Sequence, residues 1–199
     1  MTGYTSELLM GVFGENPKLR TPTSTVGGGV GLSAHAAFRV ATENTKFAMP
    51  EAKIGLFPDV GVAFRLARMD GSTGLYLALT SETITGYDCY RLGIATHYIT
   101  SDRLAKVEER LAELEPANTS TPAKYSDLVN TVLDEYQADE AEVAKLTSSF
   151  AGSKRKAIDH CFAKDNVVDI LKELRAIEEG AAFEEEHLQE WARMTRETM

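Results

Sequence analysis

The stretch VGGGVGLSAHAAFRVATENTKFAMPEAKIGLFPDVGVAFRLARMDG, residues 26–71, decides the fold of this chain. Its triple glycine leads into a predicted helix of small residues, LSAHAAF. The segments FRVAT and KFAM follow, both rich in residues favoured in β-strands, and GVAFRLARM has the spacing of a further helix. Because helices and strands alternate, the stretch predicts an α/β fold.

The rest of the chain divides around this stretch. Residues 1–25 show no clear period and form a divergent N-terminal segment, whereas residues 26–114 make up the predicted core. The stretch EPANTSTP, residues 115–122, gathers two prolines with Asn, Ser and Thr, which is typical of a linker. Beyond it apolar residues recur with helical spacing, so residues 122–199 are predicted to form a helical region.

Composition narrows the class of protein. The chain has 199 residues, 43% of them hydrophobic and 26% charged, as in ordinary soluble globular proteins. Its formal charge of -9 argues against direct binding of nucleic-acid phosphates. No apolar run approaches the roughly 20 residues that cross a bilayer, so no membrane partner is predicted. The first twenty residues lack the Arg-rich amphipathic pattern of a mitochondrial transit peptide.

The cysteines and histidines indicate no metal site and no nucleophile system. Cys89 and Cys161 lie far apart and match no metal-ligand spacing, so they are predicted to be free thiols. None of the four histidines stands in a recognised motif with a serine or cysteine, and each is predicted to be structural.

The glycine run is the first candidate site. Gly27, Gly28 and Gly29 precede a helix, and without Cβ atoms they allow a ligand to approach the backbone closely. The unpaired N–H groups at the helix start can then stabilise a developing negative charge on a carbonyl oxygen. The alternative is a tight strand-to-helix turn with no ligand.

Two carboxylates form the second candidate. Glu51 and Asp59 each follow directly on a proline, which restricts the backbone around them, and the apolar run Ile54-Gly55-Leu56-Phe57 lies between them. A carboxylate held beside such a run suits proton transfer, because its charged form is disfavoured there. The alternatives are a surface charge for Glu51 and a helix N-cap for Asp59.

Together with ITGYDCYRLGIATHYI at residues 84–99, the stretch at residues 26–71 resembles the 3-hydroxyisobutyryl-CoA hydrolase branch of the enoyl-CoA hydratase/isomerase, or crotonase, superfamily. The resemblance implies a spiral core of the ClpP/crotonase type followed by a helical C-terminal region. It also implies that the core is N-terminally incomplete, because residues 1–25 do not match the strands that supply the family's second oxyanion donor. With one donor we expect this 199-residue form to be nearly inactive, since losing a donor costs on the order of 10²-fold in rate.

The resemblance also assigns roles to the candidate residues. It implies that Gly28, flanked by Gly27 and Gly29, donates its backbone N–H to the thioester carbonyl. Glu51 is implied to be the catalytic carboxylate and Asp59 its partner in substrate binding and hydrolysis. Whether Glu51 acts as nucleophile or general base stays open. No cofactor is implied, because CoA is part of the substrate.

The implied activity is hydrolysis of 3-hydroxyisobutyryl-CoA in mitochondrial valine breakdown. Enoyl-CoA hydratases resemble the same pattern but place a second glutamate where this chain has Gly31, and a glycine where it has Asp59. Hydration or isomerisation is therefore the weaker expectation. A rival from another class is a non-catalytic component of the mitochondrial small ribosomal subunit, and self-association is also left open.

Overall fold

The computed structural model describes residues 10–13, 24–26, 28–114 and 122–199. Gly27 and most of the predicted linker therefore lie outside the described residues. The strands are β1 (Met10–Phe13), β2 (Ser24–Val26), β3 (Phe38–Ala41), β4 (Lys46–Ala48), β5 (Ile84–Thr85) and β6 (His97–Tyr98). The α-helices are α1 (Gly28–Ser33), α2 (Val62–Leu66), α3 (Thr73–Thr80), α4 (Gly86–Arg91), α5 (Leu104–Ala112), α6 (Pro122–Tyr136), α7 (Glu140–Val143), α8 (Gly152–Phe162), α9 (Val167–Glu178) and α10 (Glu186–Thr198). Two 3-10 helices, Pro50–Ile54 and Ser101–Arg103, complete the set among the described residues.

The strands form two small sheets, which confirms the α/β prediction. One sheet has the order β1-β3-β6 and is parallel, with Met10 beside Phe38 and Val40 beside His97. Its central strand β3 is buried along its whole length, as expected of a parallel strand covered on both faces. The other sheet has the order β2-β4-β5.

The first helix differs from its prediction. LSAHAAF was expected to be helical, yet α1 begins within the glycines and ends at Ser33. The chain turns over residues 34–37, where the Ala36 N–H donates to the Ser33 carbonyl at 3.1 Å. The helix ends early because β3 begins at Phe38, and residues 34–37 form the turn that leads into the strand.

Contacts divide the described chain into two compact units, each built from separate segments. The first takes the described residues before 26, Leu32–Lys46 and Thr85–Leu146. In this unit α5 and α6 pack against β3, and its core contains Phe38, Val40, Ile99, Val107, Val129 and Leu133. The sequence-based division into residues 1–25, 26–114 and 122–199 stays a prediction.

The second unit takes Val26–Gly31, Phe47–Ile84 and Thr147–Met199. Its core surrounds Tyr76 of α3, whose ring lies 5.0 Å from that of Phe162 and 6.0 Å from that of Trp191. The Tyr76 hydroxyl donates to Glu82 and accepts from the Trp191 indole N–H at 3.1 Å. Helix α3 also packs against the 3-10 helix Pro50–Ile54, so this core supports the segment that carries Glu51.

The C-terminal part of the chain is helical, as predicted, with α6 to α10 spanning residues 122–198. None of the described helices is both long and apolar enough to span a bilayer.

Candidate active site

The glycine run joins a strand to a helix. Strand β2 ends at Val26, and Gly28 and Gly29 are the first two residues of α1. The N–H groups at the start of a helix have no intrahelical acceptor, so the Gly28 N–H is available to an external one. A strand and a helix thus flank the glycine run, and the contact of Gly28 with a thioester oxygen stays a prediction.

Glu51 is a buried acid. It stands in the 3-10 helix that begins at Pro50, where proline suits the first turn because the helix needs no N–H there. Only 7% of the residue is exposed, so the interpretation of Glu51 as a surface charge is wrong. Its Oε2 atom is buried, and no hydrogen-bond partner for it occurs among the described residues. A buried unpaired carboxylate oxygen is costly and calls for an explanation, which a bound ligand or water would supply.

The apolar run after Glu51 faces outward. Ile54, Leu56 and Phe57 are all strongly exposed, with Phe57 at 73%. The expectation of an apolar wall closed over the acid is therefore not met, because these side chains face solvent. Phe57 instead forms one side of an apolar groove of about 330 Å³, whose other lining residues are Pro58, Ala63, Leu66, Ala67, Gly74, Leu75 and Ala78.

Asp59 is exposed and lies in an irregular stretch just before α2. The residue at the N-cap of α2 is Gly61, with φ 79°, and no side chain caps the helix. Within the described residues, Asp59 meets the start of α2 through its backbone carbonyl, which accepts the Val62 N–H at 2.9 Å. The N-cap interpretation of the Asp59 carboxylate is therefore wrong, and the side chain is left for another use.

Val60, which sequence reasoning missed, connects the Asp59 loop to α1. A Cβ atom added to Gly31 would lie 2.6 Å from the Val60 Cβ and 2.8 Å from its Cγ2. Val60 has φ 47°, which is unusual for a β-branched residue. The only signal in the sequence was a glycine inside a helix, which marks a close approach of another group.

These contacts place the candidate residues in one unit. Glu51 and Asp59 lie on the segment that leaves β4, and β4 is a neighbour of β2, which leads to Gly28. The residue after Asp59 packs on Gly31, one helical turn beyond Gly28. The structure thus brings the Asp59 loop to α1. The convergence of all three residues on one carbonyl stays a prediction.

A further residue that sequence reasoning missed is Arg65 of α2. Its Nε atom is buried and has no hydrogen-bond partner in the part of the chain that the structure describes. Charge next to the candidate loop is therefore not confined to the two predicted acids. No group of three or more His, Cys, Asp or Glu within the described residues is arranged to hold a metal ion.

Both cysteines are free, as predicted, and both are buried. Burial raises the pKa of the Cys161 thiol to about 12 and also raises the pKa of Cys89. Since the thiolate is the reactive form, neither thiol is suited to act as a nucleophile.

Three histidines join neighbouring elements. His97 Nε2 lies 3.3 Å from an Asp134 carboxylate oxygen, and His160 Nε2 lies 2.8 Å from one of Glu173. His187 Nε2 lies 3.2 Å from the Ser153 hydroxyl in an exposed contact between α8 and α10. These contacts fit the structural role predicted for the histidines.

Comparison with known proteins agrees with this fold. A family model described as enoyl-CoA hydratase/isomerase matches residues 24–199. Among solved structures, a carnitinyl-CoA dehydratase from Mycobacterium thermoresistibile superposes with a TM-score of 0.64 at 31% identity, covering 89% of this chain and 47% of its own. An enoyl-CoA hydratase from Rhodobacter sphaeroides superposes with a TM-score of 0.61 at 26% identity, covering 88% and 42%. The predicted crotonase-like fold is thereby confirmed.

Curated relatives carry two kinds of name. The small ribosomal subunit protein mS47 of Neurospora crassa is 45% identical over 88% of this chain and 34% of its own length. The mitochondrial 3-hydroxyisobutyryl-CoA hydrolase of Homo sapiens is 42% identical over 82% of this chain and 40% of its own length. The chain thus spans well under half the length of these relatives. The family match over most of the chain and these identities show that the chain belongs to the enoyl-CoA hydratase/isomerase family.

Proposed function

We propose that this chain carries the acyl-thioester site of a mitochondrial CoA thioester hydrolase that converts 3-hydroxyisobutyryl-CoA to 3-hydroxyisobutyrate and CoA. The observation that carries the proposal is the buried Oε2 of Glu51, which has no hydrogen-bond partner among the described residues and lies on the segment that also presents Asp59. Similarity to the human and Danio rerio hydrolases, 42% and 39% identical, supports the choice of substrate.

The proposed chemistry follows from these groups. The oxygen of water bonds to the thioester carbon, and the developing oxyanion accepts the Gly28 N–H. Glu51 takes the proton of the attacking water, the carbon–sulfur bond breaks, and the CoA thiolate then receives a proton. Alternatively a Glu51 carboxylate oxygen bonds to the carbonyl carbon, the carbon–sulfur bond breaks to release the CoA thiolate, which receives a proton, and water then hydrolyses the resulting anhydride. Asp59 holds the substrate hydroxyl or the incoming water.

Release of free thiol from 3-hydroxyisobutyryl-CoA tests the proposal. We expect slow turnover, so the assay uses protein in excess over substrate and follows a single turnover. Glu51→Gln should lower the rate about 10²-fold or more, because the amide accepts no proton. Glu109→Gln changes an exposed glutamate of α5 and should have no effect. Thiol release unchanged by Glu51→Gln would remove Glu51 from the mechanism.

Labelled water separates the two routes for Glu51. In a single turnover in H₂¹⁸O, direct attack leaves ¹⁸O in the Glu51 carboxylate when water cleaves the anhydride at the Glu51 carbonyl, and in the released acid when water cleaves it at the acyl carbonyl. General-base action leaves the label only in the released acid. Label found in the peptide containing Glu51 by mass spectrometry therefore establishes direct attack, because general-base action cannot place it there.

A second candidate function is a component of the mitochondrial small ribosomal subunit. The observation that favours it is the identity of 45% and 42% to the mS47 proteins of Neurospora crassa and Schizosaccharomyces pombe. Sedimentation of a tagged chain in a mitochondrial lysate tests it. Migration with small subunits would favour this function, whereas CoA-thioester binding without such migration would favour the hydrolase.

A further inference from the structure

Val60 occupies the space in which any side chain at position 31 would have to stand. The Cβ of an alanine there would meet the Val60 Cβ at 2.6 Å, Cγ2 at 2.8 Å and Cγ1 at 3.2 Å. The nearest of these atoms is the branch point of a short side chain, which no rotation can move away. The contact can be relieved only by a shift of the Asp59 loop or of α1.

The backbone of Val60 is itself unfavourable. Its φ of 47° is in the left-handed region, where a Cβ costs roughly 1–2 kcal/mol and a β-branched side chain is rarely found. Gly61, the next residue, also has positive φ, so two consecutive residues turn the loop at this point. Strained backbone of this kind is found preferentially at functional sites.

The contact between Val60 and Gly31 determines which elements can supply an acidic side chain to the proposed site. Helix α1, which presents the Gly28 N–H, can carry no carboxylate at position 31 while Val60 is in place. The remaining acids of the candidate site are Glu51 and Asp59, both on the segment after β4. Val60 is 41% exposed, so part of its surface is open to solvent and is not covered by the described residues.

We propose that Val60 is a specificity-determining residue, which fills the space beside Gly31 with apolar surface and so restricts the site to hydrolysis of the thioester. The inference rests on the proposed function. It adds the residue that excludes a competing reaction, the hydration of an α,β-unsaturated thioester.

The two reactions need groups at different atoms of the acyl chain. In hydrolysis, water oxygen bonds to the carbonyl carbon, the carbon–sulfur bond breaks, and the proton goes to sulfur. In hydration of an α,β-unsaturated thioester, water oxygen bonds to the β-carbon, the carbon–carbon double bond becomes single, and the α-carbon receives the proton. Hydration is therefore served by a second acid-base group further along the acyl chain. Val60 places an apolar side chain in the space where α1 could otherwise carry this second acid-base group.

A cycle of unfolding measurements tests the steric part and needs no activity. Gly31→Ala in the natural background should lower the midpoint of thermal unfolding by about 4 °C or more, because the added Cβ collides with Val60. In the Val60→Gly background the same change should leave the midpoint unchanged or raise it, since alanine favours helix over glycine. The expected result is thus a loss that disappears, or turns into a gain, once Val60 is removed. An equal loss in both backgrounds would overturn the inference.

The chemical part compares two folded double variants that both lack the valine. Crotonyl-CoA, an α,β-unsaturated thioester, is the probe, with hydration followed by loss of the conjugated absorbance and hydrolysis by free thiol. The Gly31→Glu, Val60→Gly variant should hydrate the probe at least ten-fold faster than the Gly31→Ala, Val60→Gly control, and the natural chain should not hydrate it.

Two results would overturn this part of the inference. One is hydration by the natural chain, and the other is no gain of hydration in a folded Gly31→Glu, Val60→Gly variant. Should that variant fail to fold, the unfolding cycle decides the inference. A loss by Gly31→Ala that persists in the Val60→Gly background would then overturn it. Absence of thiol release from the natural chain would count against the proposed hydrolase alone, because neither the unfolding cycle nor the hydration assay depends on it.

Discussion

Glu51 has a buried oxygen with no partner among the described residues, and this arrangement opposes stability. Leaving a buried polar atom unsatisfied costs about 1–3 kcal/mol, and more when it is charged. If this destabilising carboxylate is retained because the function needs it, replacing Glu51 by an apolar residue should both stabilise the fold and abolish activity.

We therefore expect Glu51→Met, which conserves volume in an apolar form, to raise the free energy of unfolding by about 1 kcal/mol or more. Thiol release from the acyl-CoA should fall to background in the same variant. Denaturant unfolding measures the first effect and the thiol assay the second. Glu109→Met, at an exposed position of α5, controls for the substitution itself. A destabilised Glu51→Met variant would indicate that the carboxylate pairs with a stabilising group.

At this scale the sequence predicted positions better than environments. Glu51 and Asp59 were singled out because each follows a proline, but their opposite exposures depend on which elements cover them. The left-handed backbone of Val60 is favoured by no local signal, since valine prefers extended backbone. Such a residue is held in place by its neighbours, which a single sequence does not reveal.

Helices α2 and α3 meet at Gly74. A Cβ atom there would lie 1.8 Å from the Leu66 carbonyl oxygen and 2.5 Å from the Leu66 carbonyl carbon, so backbone touches backbone. The two helices line the groove beside Phe57, and α3 also supports the 3-10 helix of Glu51. A change at Gly74 should therefore affect both stability and the site.

Gly74→Ala should lower the free energy of unfolding by about 3 kcal/mol, the upper part of the range for an overpacked core. The comparison is Gly55→Ala, where φ is 75° and, apart from the adjoining residues, no atom of the described part of the chain lies within 4 Å of the added Cβ. That variant incurs only the left-handed backbone cost, about 1–2 kcal/mol. Denaturant midpoints measure both. A smaller loss for Gly74→Ala than for Gly55→Ala would contradict the close packing.

The junction of β6 and α6 contains a histidine that is sensitive to pH. Burial lowers the pKa of His97, and this effect outweighs Asp134, which is 60% exposed and therefore screened by water. Arg39 also lowers the pKa of His97. The folded chain thus binds the His97 proton less well than the unfolded chain does.

Stability contributed by neutral His97 should be fully present above the ordinary histidine pKa of about 6.5 and be lost as the pH falls below it. His97→Gln should flatten this part of the profile, whereas His187→Gln, at an exposed position, should leave it in place. Unfolding midpoints of the three proteins between about pH 7.5 and 4.5 measure the difference. A profile that steepens in His97→Gln would show that the ion pair with Asp134 dominates instead.

Element types followed from local patterns more closely than element ends did. FRVAT and KFAM contain strands β3 and β4, and GVAFRLARM contains helix α2, because strand-favouring residues and apolar spacing mark them. The end of α1 at Ser33 depends on where β3 must begin, which is a long-range requirement. The pairing of β1 with β3 also went unpredicted, since parallel partners lie far apart in sequence.

At the scale of the whole molecule, chain order and packing do not coincide. Each compact unit interleaves segments from several parts of the chain. In the first unit, Val129 and Leu133 of α6 complete the core around Phe38 and Val40. In the second unit, Phe162 and Trp191 from the C-terminal helices enclose Tyr76. Both cores therefore depend on residues beyond the predicted linker.

Cutting the chain at the predicted linker should consequently leave neither part folded. A fragment of residues 1–121 loses several large buried side chains from each core, and each such loss costs about 2–5 kcal/mol, against a total stability of about 5–15 kcal/mol. We expect this fragment to show no cooperative unfolding transition, and an equimolar mixture with residues 122–199 to regain one. Circular dichroism during thermal unfolding measures both. Cooperative unfolding of residues 1–121 alone would instead establish the sequence-based division as a true domain boundary, because that fragment would then hold a complete core without the C-terminal helices.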